Sequence, residues 1–162
     1  MKEPKTFFIT GAEGAGKTSI IPILKKKLQN IEVHDFDEVG VPLNPTLQWR
    51  VNTTRHWIKT AIKNQKKGIS TCIVGLCFPS EVKSLKESLF LELRFCFLEV
   101  SQKERETRLR KREASQEVIA DLEQFNQLKK EAKNIPLAKK INTSSLSVHH
   151  VAQKIIHWIE LF

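Results

Sequence analysis

The sequence predicts an α/β protein built on a largely parallel sheet. Short β-like runs alternate with longer helical stretches along the chain, and a glycine-rich turn directly follows the first of these runs. Such alternation is typical of βαβ units, in which a helix connects two parallel strands. With 162 residues and 40% apolar content, the chain can bury one core, so we expect a single domain over residues 1–162.

The individual elements follow from β-rich runs and from apolar residues at helical spacing. Strands are predicted at 6–10, 31–36, 70–76, 94–100 and 138–142. Helices are predicted at 16–29, 44–68, 79–90, 101–112 and 115–133, and a last helix carries Val151, Ile155, Trp158 and Ile159 on one side. Asn44 and Pro45 predict the start of the second helix, and Gly68 predicts its end.

The composition narrows the class of partners. The formal net charge of +9 favours anionic partners such as nucleotides, phosphorylated metabolites or nucleic acid. The three cysteines have no metal-site spacing, and we expect buried free thiols. No stretch approaches the roughly 18 apolar residues of a membrane helix. We therefore expect a soluble, cytoplasmic protein without a membrane partner.

The run GAEGAGKTS at residues 11–19 has the spacing of a phosphate-binding loop between a strand and a helix. Glycines permit tight curvature, so backbone N–H groups can surround a β-phosphate. Lys17 would lie between β- and γ-phosphate oxygens, and the Thr18 hydroxyl would bind Mg²⁺. The residues expected to bind nucleotide in this run are Gly11, Glu13, Gly14, Ala15, Gly16, Lys17, Thr18 and Ser19.

Three phrases together resemble a known family. The loop GAEGAGKTS, the phrase HDFDE that ends the second strand and the phrase FLEVSQKERETRLRKR after the fourth are similar to the small P-loop kinases, which include adenylate, shikimate and gluconate kinases. The similarity covers nearly the whole chain and is greatest to poorly characterised members. It implies a three-layer α/β/α P-loop NTPase fold with five parallel strands in the order 2-3-1-4-5. It also implies ATP with Mg²⁺, while GTP, the less favoured nucleotide, stays an alternative.

Two carboxylates follow the second strand, where this fold would place the acceptor. Asp35 and Asp37 are two residues apart on a segment predicted to be extended, so both would point the same way. One could orient or deprotonate an acceptor hydroxyl, and the other could hold Mg²⁺ through water. The resemblance implies that Asp35 is catalytic and metal-binding and that both contact substrate. Ordinary carboxylates in a solvated turn are the alternative interpretation.

The long helix after residue 44 offers further acceptor contacts. Arg50 and Trp57 are seven residues apart and would share a face with two threonines, which suits a planar or anionic acceptor. An exposed arginine and a packing tryptophan are the alternative interpretation. The opposite side would pack on the core through Leu47, Val51, Ile58 and Ile62.

The third strand ends in Val74-Gly75-Leu76-Cys77, without the aspartate that usually serves as a second metal-binding motif. Gly75 would allow an acceptor to approach the backbone closely. This departure leaves room for a protein that binds nucleotide but catalyses poorly.

Arginines follow the fourth strand, where the resemblance implies contacts to the nucleotide. Arg108 would lie against adenine and phosphates, and Arg112 would begin a short lid near residues 112–120 and bind phosphate. Their spacing places both on one helical face. A surface helix with a Glu104–Arg108 ion pair is the alternative interpretation. The resemblance further places Asn142 and Thr143 at the adenine edge.

Three functions remain open. The first is ATP-dependent phosphoryl transfer to a hydroxyl or phosphate group of a small molecule, such as a nucleoside, nucleotide or sugar. The second is a non-catalytic nucleotide-binding regulator. The third is a 5′-hydroxyl polynucleotide kinase, which the net charge favours although no recognised nucleic-acid-binding motif is found. Acceptor identity and oligomeric state are open.

Overall fold

The computed structural model describes residues 3–162 and contains one parallel sheet surrounded by helices. The strands are β1 Thr6–Gly11, β2 Ile31–Asp35, β3 Ser70–Val74, β4 Leu93–Glu99 and β5 Lys139–Asn142. They are parallel and lie in the order β2-β3-β1-β4-β5. The predicted fold class and strand order are therefore confirmed.

Seven α-helices are assigned within residues 3–162, together with two short 3₁₀ helices. The α-helices are α1 Lys17–Lys27, α2 Leu47–Lys66, α3 Pro79–Ser84, α4 Gln102–Lys111, α5 Gln116–Ala120, α6 Glu123–Lys133 and α7 Val148–Glu160. The 3₁₀ helices span Phe36–Val39 and Lys86–Phe90. In the described part of the chain, no helix has both the length and the apolarity to cross a membrane.

The central strand β1 is buried along its whole length because it lies between β3 and β4 and is covered by helices. Its register pairs Phe8 with Ile73 on one side and with Phe95 on the other. Helices α1 and α7 pack on each other beside the sheet. The glycine-rich turn thus leaves the sheet at the carboxyl end of its most buried strand, which fixes one side of the turn rigidly.

Two predicted helix boundaries were wrong. Helix α2 begins at Leu47 rather than near Asn44, because the Thr46 side chain accepts a hydrogen bond from the Trp49 N–H at 3.1 Å and caps the helix. The helix predicted at 115–133 is interrupted between α5 and α6. There the Asp121 carboxylate accepts from the N–H of Glu123 at 3.0 Å, which starts a new helix.

The inner face of α2 differs from the predicted one. Leu47, expected in the core, is 62% exposed in the first turn of α2. Trp57 is only 3% exposed, and its indole N–H donates to the Phe36 carbonyl at 3.0 Å. The side chains of α2 that are buried are Thr53, Thr54, Trp57, Ile58, Ala61 and Asn64.

Gly75 follows β3 and is in contact with Phe36, which follows β2. A Cβ atom added to Gly75 would overlap the Phe36 Cβ, and the Gly75 N–H donates to the Ile9 carbonyl at 3.0 Å. The missing side chain therefore makes room for the protein's own phenyl ring. This differs from the expectation that an acceptor approaches the backbone here.

The three cysteines are buried and unpaired, as expected. Burial raises the pKa of Cys77 to about 12. Burial also raises the pKa values of Cys72 and Cys96 far above that of a free thiol. These thiols belong to the core.

Replacing Gly75→Ala should destabilise the protein by about 1–3 kcal/mol, because Phe36 or the end of β3 must move to admit the methyl group. The free energy of unfolding in urea measures the effect. Unchanged stability would contradict the close contact between Gly75 and Phe36.

Replacing Trp57→Phe should lower the free energy of unfolding by about 1–3 kcal/mol, because the buried Phe36 carbonyl loses its donor. Nucleotide affinity of the folded variant should stay the same, since the indole does not line a cavity at the glycine-rich loop. Urea titration and calorimetric nucleotide binding separate the two effects. A variant with wild-type stability and weakened acceptor use would support direct substrate contact instead.

Candidate functional site

The glycine-rich loop, residues 11–18, is tightly curved between β1 and α1. Gly14 and Gly16 have φ angles of 81° and 95°, which side-chain-bearing residues rarely adopt. The Ala15 N–H donates to the Ala12 carbonyl at 3.1 Å. Gly16 precedes α1 without a side-chain cap on that helix. Backbone N–H groups at the start of α1 are thus left to bind an anion.

Lys17 is partly buried at the start of α1, and its ammonium group donates to the Ala12 carbonyl at 2.9 Å. Loss of hydration lowers the pKa of Lys17 to about 8, although the nearby Glu13 and Asp37 carboxylates raise it. Arg112 also acts on Lys17 and lowers its pKa further. The loop therefore holds a cation that an incoming polyphosphate would neutralise.

Arg108 ties the glycine-rich loop to the segment after β5. Its guanidinium donates to the Gly14 carbonyl at 3.1 Å and to the Thr143 carbonyl at 2.7 Å. It also pairs with Glu104 at 2.9 Å, the ion pair that the alternative interpretation anticipated. The Thr143 hydroxyl in turn donates to the Ala15 carbonyl at 3.1 Å. Arg108 is thus both ion-paired and part of the loop's support.

Arg105 supports the loop from its other side, and sequence reasoning did not assign it this role. The side chain is buried, and its guanidinium donates to the carbonyls of Ile119, Val118 and Asp121 at 2.9–3.1 Å. A Cβ on Gly14 would lie 3.2 Å from the Arg105 Cγ. Arg105 therefore packs beneath the loop and binds the carboxyl end of α5.

One cavity opens between the glycine-rich loop and the end of α4 and has a volume of about 390 Å³. The residues that line it include Ala15, Gly16, Ser19, Arg108, Arg112 and Thr143. Asn142 does not line this cavity, and its carboxamide oxygen accepts from the Ser144 N–H at 2.9 Å within the turn after β5. This cavity brings together five of the eleven predicted nucleotide-binding residues, whereas Gly11 and Asn142 line a different cavity of about 220 Å³.

A second cavity has a volume of about 200 Å³. Its lining residues are Glu13, Lys17, Phe36, Asp37, Val41, Pro45, Thr46, Trp49, Arg50, Leu76 and Gln124. Lys17 thus lines the second cavity, whereas Gly16 and Ser19 of the same loop and helix line the first. Gln124 and Trp49 were not singled out from the sequence, although Trp49 directly precedes Arg50.

Asp35 and Asp37 lie in different local structures, contrary to the expectation of one extended segment. Asp35 ends β2, and its carboxylate accepts from the Asp37 N–H at 3.0 Å, so that it caps the 3₁₀ helix. Asp37 lies within that helix and lines the second cavity. Burial, followed by repulsion from Asp35 and Glu13, raises the pKa of Asp37, which Lys17 partly offsets.

Arg50 lines the second cavity but is held by a residue not considered from the sequence. Its Nε donates to the Glu81 carboxylate oxygens at 2.9 and 3.1 Å, and its Nη2 donates at 2.6 Å. The guanidinium carbon also lies 4.8 Å from the centre of the Phe78 ring. Because Glu81 is 31 residues from Arg50 along the chain, no local pattern could have revealed the pair.

The residues near Lys17 fit a magnesium ion. Thr18 is exposed at the start of α1, Asp37 supplies a carboxylate in the second cavity, and Asp35 caps the 3₁₀ helix that carries Asp37. Mg²⁺ retains several waters and commonly takes one or two carboxylates together with substrate phosphates. A hydroxyl group and carboxylates reached through water are such a donor set.

Comparison with known proteins identifies solved structures whose fold is similar to that of this chain. No family model and no curated protein matches the sequence, whereas solved structures do match. A sugar kinase from Janibacter sp. has a TM-score of 0.69 and 17% identity over 97% of this chain and 95% of that chain. A shikimate kinase from Aquifex aeolicus has a TM-score of 0.61 and 13% identity over 96% of each chain.

A third similar structure comes from an RNA repair complex, with a TM-score of 0.65 and 15% identity over 85% of this chain and 48% of that chain. The matches to the sugar kinase and the shikimate kinase cover nearly all of both chains at low sequence identity. Such matches indicate a shared fold, because distantly similar sequences can keep the same strand order. The chain has the α/β/α fold that the small P-loop kinases share.

Proposed function

We propose that the protein transfers the γ-phosphoryl group of MgATP to a hydroxyl group of a small-molecule acceptor. The observation that supports this most is that two cavities border the glycine-rich loop and the start of α1. One cavity of about 390 Å³ is lined by Arg108 and the start of α1. The other, of about 200 Å³, is lined by Lys17 and Asp37. A donor in the first cavity and an acceptor in the second could meet at the loop.

The donor nucleotide occupies the larger cavity in this proposal. Its base and ribose lie near Thr143 and Arg108, and its phosphates bind the N–H groups of the glycine-rich loop. Thr18, with Asp35 and Asp37 through water, would hold Mg²⁺, which neutralises charge on the phosphates. ATP is preferred over GTP in the proposal, as the resemblance implies.

The transfer itself needs positioning and charge stabilisation more than covalent chemistry. The acceptor oxygen forms a bond to the γ-phosphorus while the bond from that phosphorus to the β,γ-bridging oxygen breaks, and ADP leaves. The acceptor proton passes to the Asp37 carboxylate and then to water. Asp37 is favoured over Asp35 for this task because it lines the acceptor cavity, whereas Asp35 accepts the Asp37 N–H and positions it.

The short segment 112–120 acts as a lid in this proposal, within a single domain spanning the chain. Arg112 lies at its start and lines the nucleotide cavity, and α5 lies within it. Arg105 holds α5 by its last carbonyls, so the lid is anchored beside the loop. Closure would bring Arg112 to the transferring phosphoryl group.

A 5′-hydroxyl polynucleotide kinase is the second candidate, favoured by the net charge of +9 and by the similarity to a chain of an RNA repair complex. Phosphate contacts along a nucleic acid would make binding strongly salt-dependent.

A non-catalytic nucleotide-binding regulator is the third candidate, favoured by the missing aspartate after β3.

With an acceptor that accelerates ADP release, Asp37→Asn should lower kcat about 10²-fold or more while nucleotide affinity changes little, because the proton acceptor is lost. The measurement is ADP release from MgATP against nucleosides, nucleotides, sugars and 5′-hydroxyl oligonucleotides. Asp35→Asn is the matched comparison, since asparagine can still accept the Asp37 N–H. A larger loss in Asp35→Asn would assign the proton to Asp35. ATP binding without acceleration by any acceptor would favour the regulator.

Arg108→Lys should weaken nucleotide binding roughly tenfold, because a lysine cannot donate to Gly14 and Thr143 with one planar group. Calorimetric titration with MgADP measures the change. Arg110→Lys is the matched control, since Arg110 is exposed on the same helix. Equal affinities in both variants would contradict the supporting role of Arg108.

A further inference from the structure

The size of the second cavity limits what can occupy it. Its volume is about 200 Å³, and a cavity of about 150 Å³ in another protein accommodates benzene. One ring with a few substituents therefore fits beside Lys17. A larger acceptor would have to extend over the exposed segment that follows the 3₁₀ helix.

Each of the two cationic side chains that line this cavity has an interaction partner other than the acceptor. Lys17 is the group expected to contact the ATP phosphates. Arg50 is held by Glu81 through three donor–acceptor contacts of 2.6–3.1 Å. The two side chains are only 19% and 15% exposed, so separating them would leave a carboxylate poorly solvated. The positive charge of Arg50 is thus neutralised by Glu81 before any acceptor binds.

The remaining charges in the cavity are negative. Glu13 and Asp37, which both carry carboxyl groups, line it. A phosphate or carboxylate on the acceptor would add a further negative charge beside them. Uncharged or cationic groups meet no such repulsion.

The rest of the wall is apolar or aromatic. Val41, Pro45, Leu76 and the rings of Phe36 and Trp49 line the cavity. Such a surface favours the face of a ring or another apolar group. Thr46 and Gln124 add uncharged polar groups that can orient hydroxyls.

From these observations we propose that the acceptor is an uncharged or positively charged hydroxyl compound of about one ring, rather than a phosphorylated or carboxylated one. The assignment rests on the kinase function proposed above, since it takes the second cavity as the acceptor site. Selectivity arises because Glu81 neutralises Arg50 and because Glu13 and Asp37 repel anions.

Binding to the full chain, saturated with Mg²⁺ and the non-hydrolysable β,γ-imido analogue of ATP, tests the acceptor class. Calorimetry compares three pairs: thymidine with thymidine 5′-monophosphate, glucosamine with glucosamine 6-phosphate, and methyl shikimate with shikimate. At least one compound without an anionic group should bind, and bind about tenfold or more tightly than its anionic partner. An anionic member that binds as tightly as its partner overturns the proposal, as does a panel in which only anionic members, or none, bind.

ADP release from MgATP with the same compounds tests the kinase function separately. Compounds that bind with the expected preference but do not accelerate ADP release would support the acceptor class and contradict phosphoryl transfer. Acceleration by anionic members alone would support phosphoryl transfer and overturn the acceptor class.

The variant Glu81→Gln tests whether neutralisation of Arg50 causes the discrimination against anionic compounds. The variant releases the charge of Arg50 while preserving the shape of the side chain, so the affinity for anionic members should rise roughly tenfold and that for their partners should stay nearly constant. Glu87→Gln is the matched control, because Glu87 pairs with Arg55 at 3.4 Å and does not line the cavity. Unchanged discrimination in Glu81→Gln, with the thermal midpoint retained, would contradict the neutralisation of Arg50.

Discussion

The site depends on one partly desolvated ammonium group at the start of a helix. Lys17 donates to the Ala12 carbonyl, while the Glu13 and Asp37 carboxylates act on it electrostatically. Placing a positive charge next to the positive end of a helix is unfavourable without an anion. The surrounding structure must therefore hold the loop rigidly, and the burial of β1 together with two arginines does so. The cation is retained at a cost in stability that a bound polyphosphate would offset.

The two arginines are three residues apart on α4 and stabilise the same loop in different ways. Arg105 is buried, lies next to Gly14 and donates only to backbone carbonyls at the end of α5. Arg108 is partly exposed and shares its donors between the loop, Thr143 and Glu104. Because Arg105 is only 3% exposed, its main effect is to position the loop and the end of α5. Arg108 borders a cavity, so it can also contact a ligand there.

The sequence predicted what depends on local pattern and missed what depends on long-range pairing. The glycine-rich loop and the alternation of strands and helices are local, and the resemblance supplied the strand order that the structure confirms. The Arg50–Glu81 pair and the Gly75–Phe36 contact join distant segments, which no spacing rule connects. The different local structures of Asp35 and Asp37 could have been predicted from the local sequence. An acidic residue followed three positions later by Glu38 is a capping-box pattern, and Asp35 and Glu38 form that box. The alternating-strand interpretation overlooked it.

Net charge is a poor guide to the proposed acceptor, because cationic and anionic side chains are unevenly distributed between the two cavities. The cavity proposed to hold nucleotide is lined by Arg108, Lys111 and Arg112, whereas Glu13 and Asp37 line the other cavity. A chain with a formal charge of +9 can thus present an acceptor cavity whose arginine is already paired. In the proposed function, such a division would attract a polyphosphate to one side and leave its transferable end facing carboxylates on the other. Those carboxylates would accept a proton from a hydroxyl group but repel an anion. Under that proposal, acceptor selection follows from the local pairing of Arg50 with Glu81, and the overall basicity would serve to draw nucleotide to the protein.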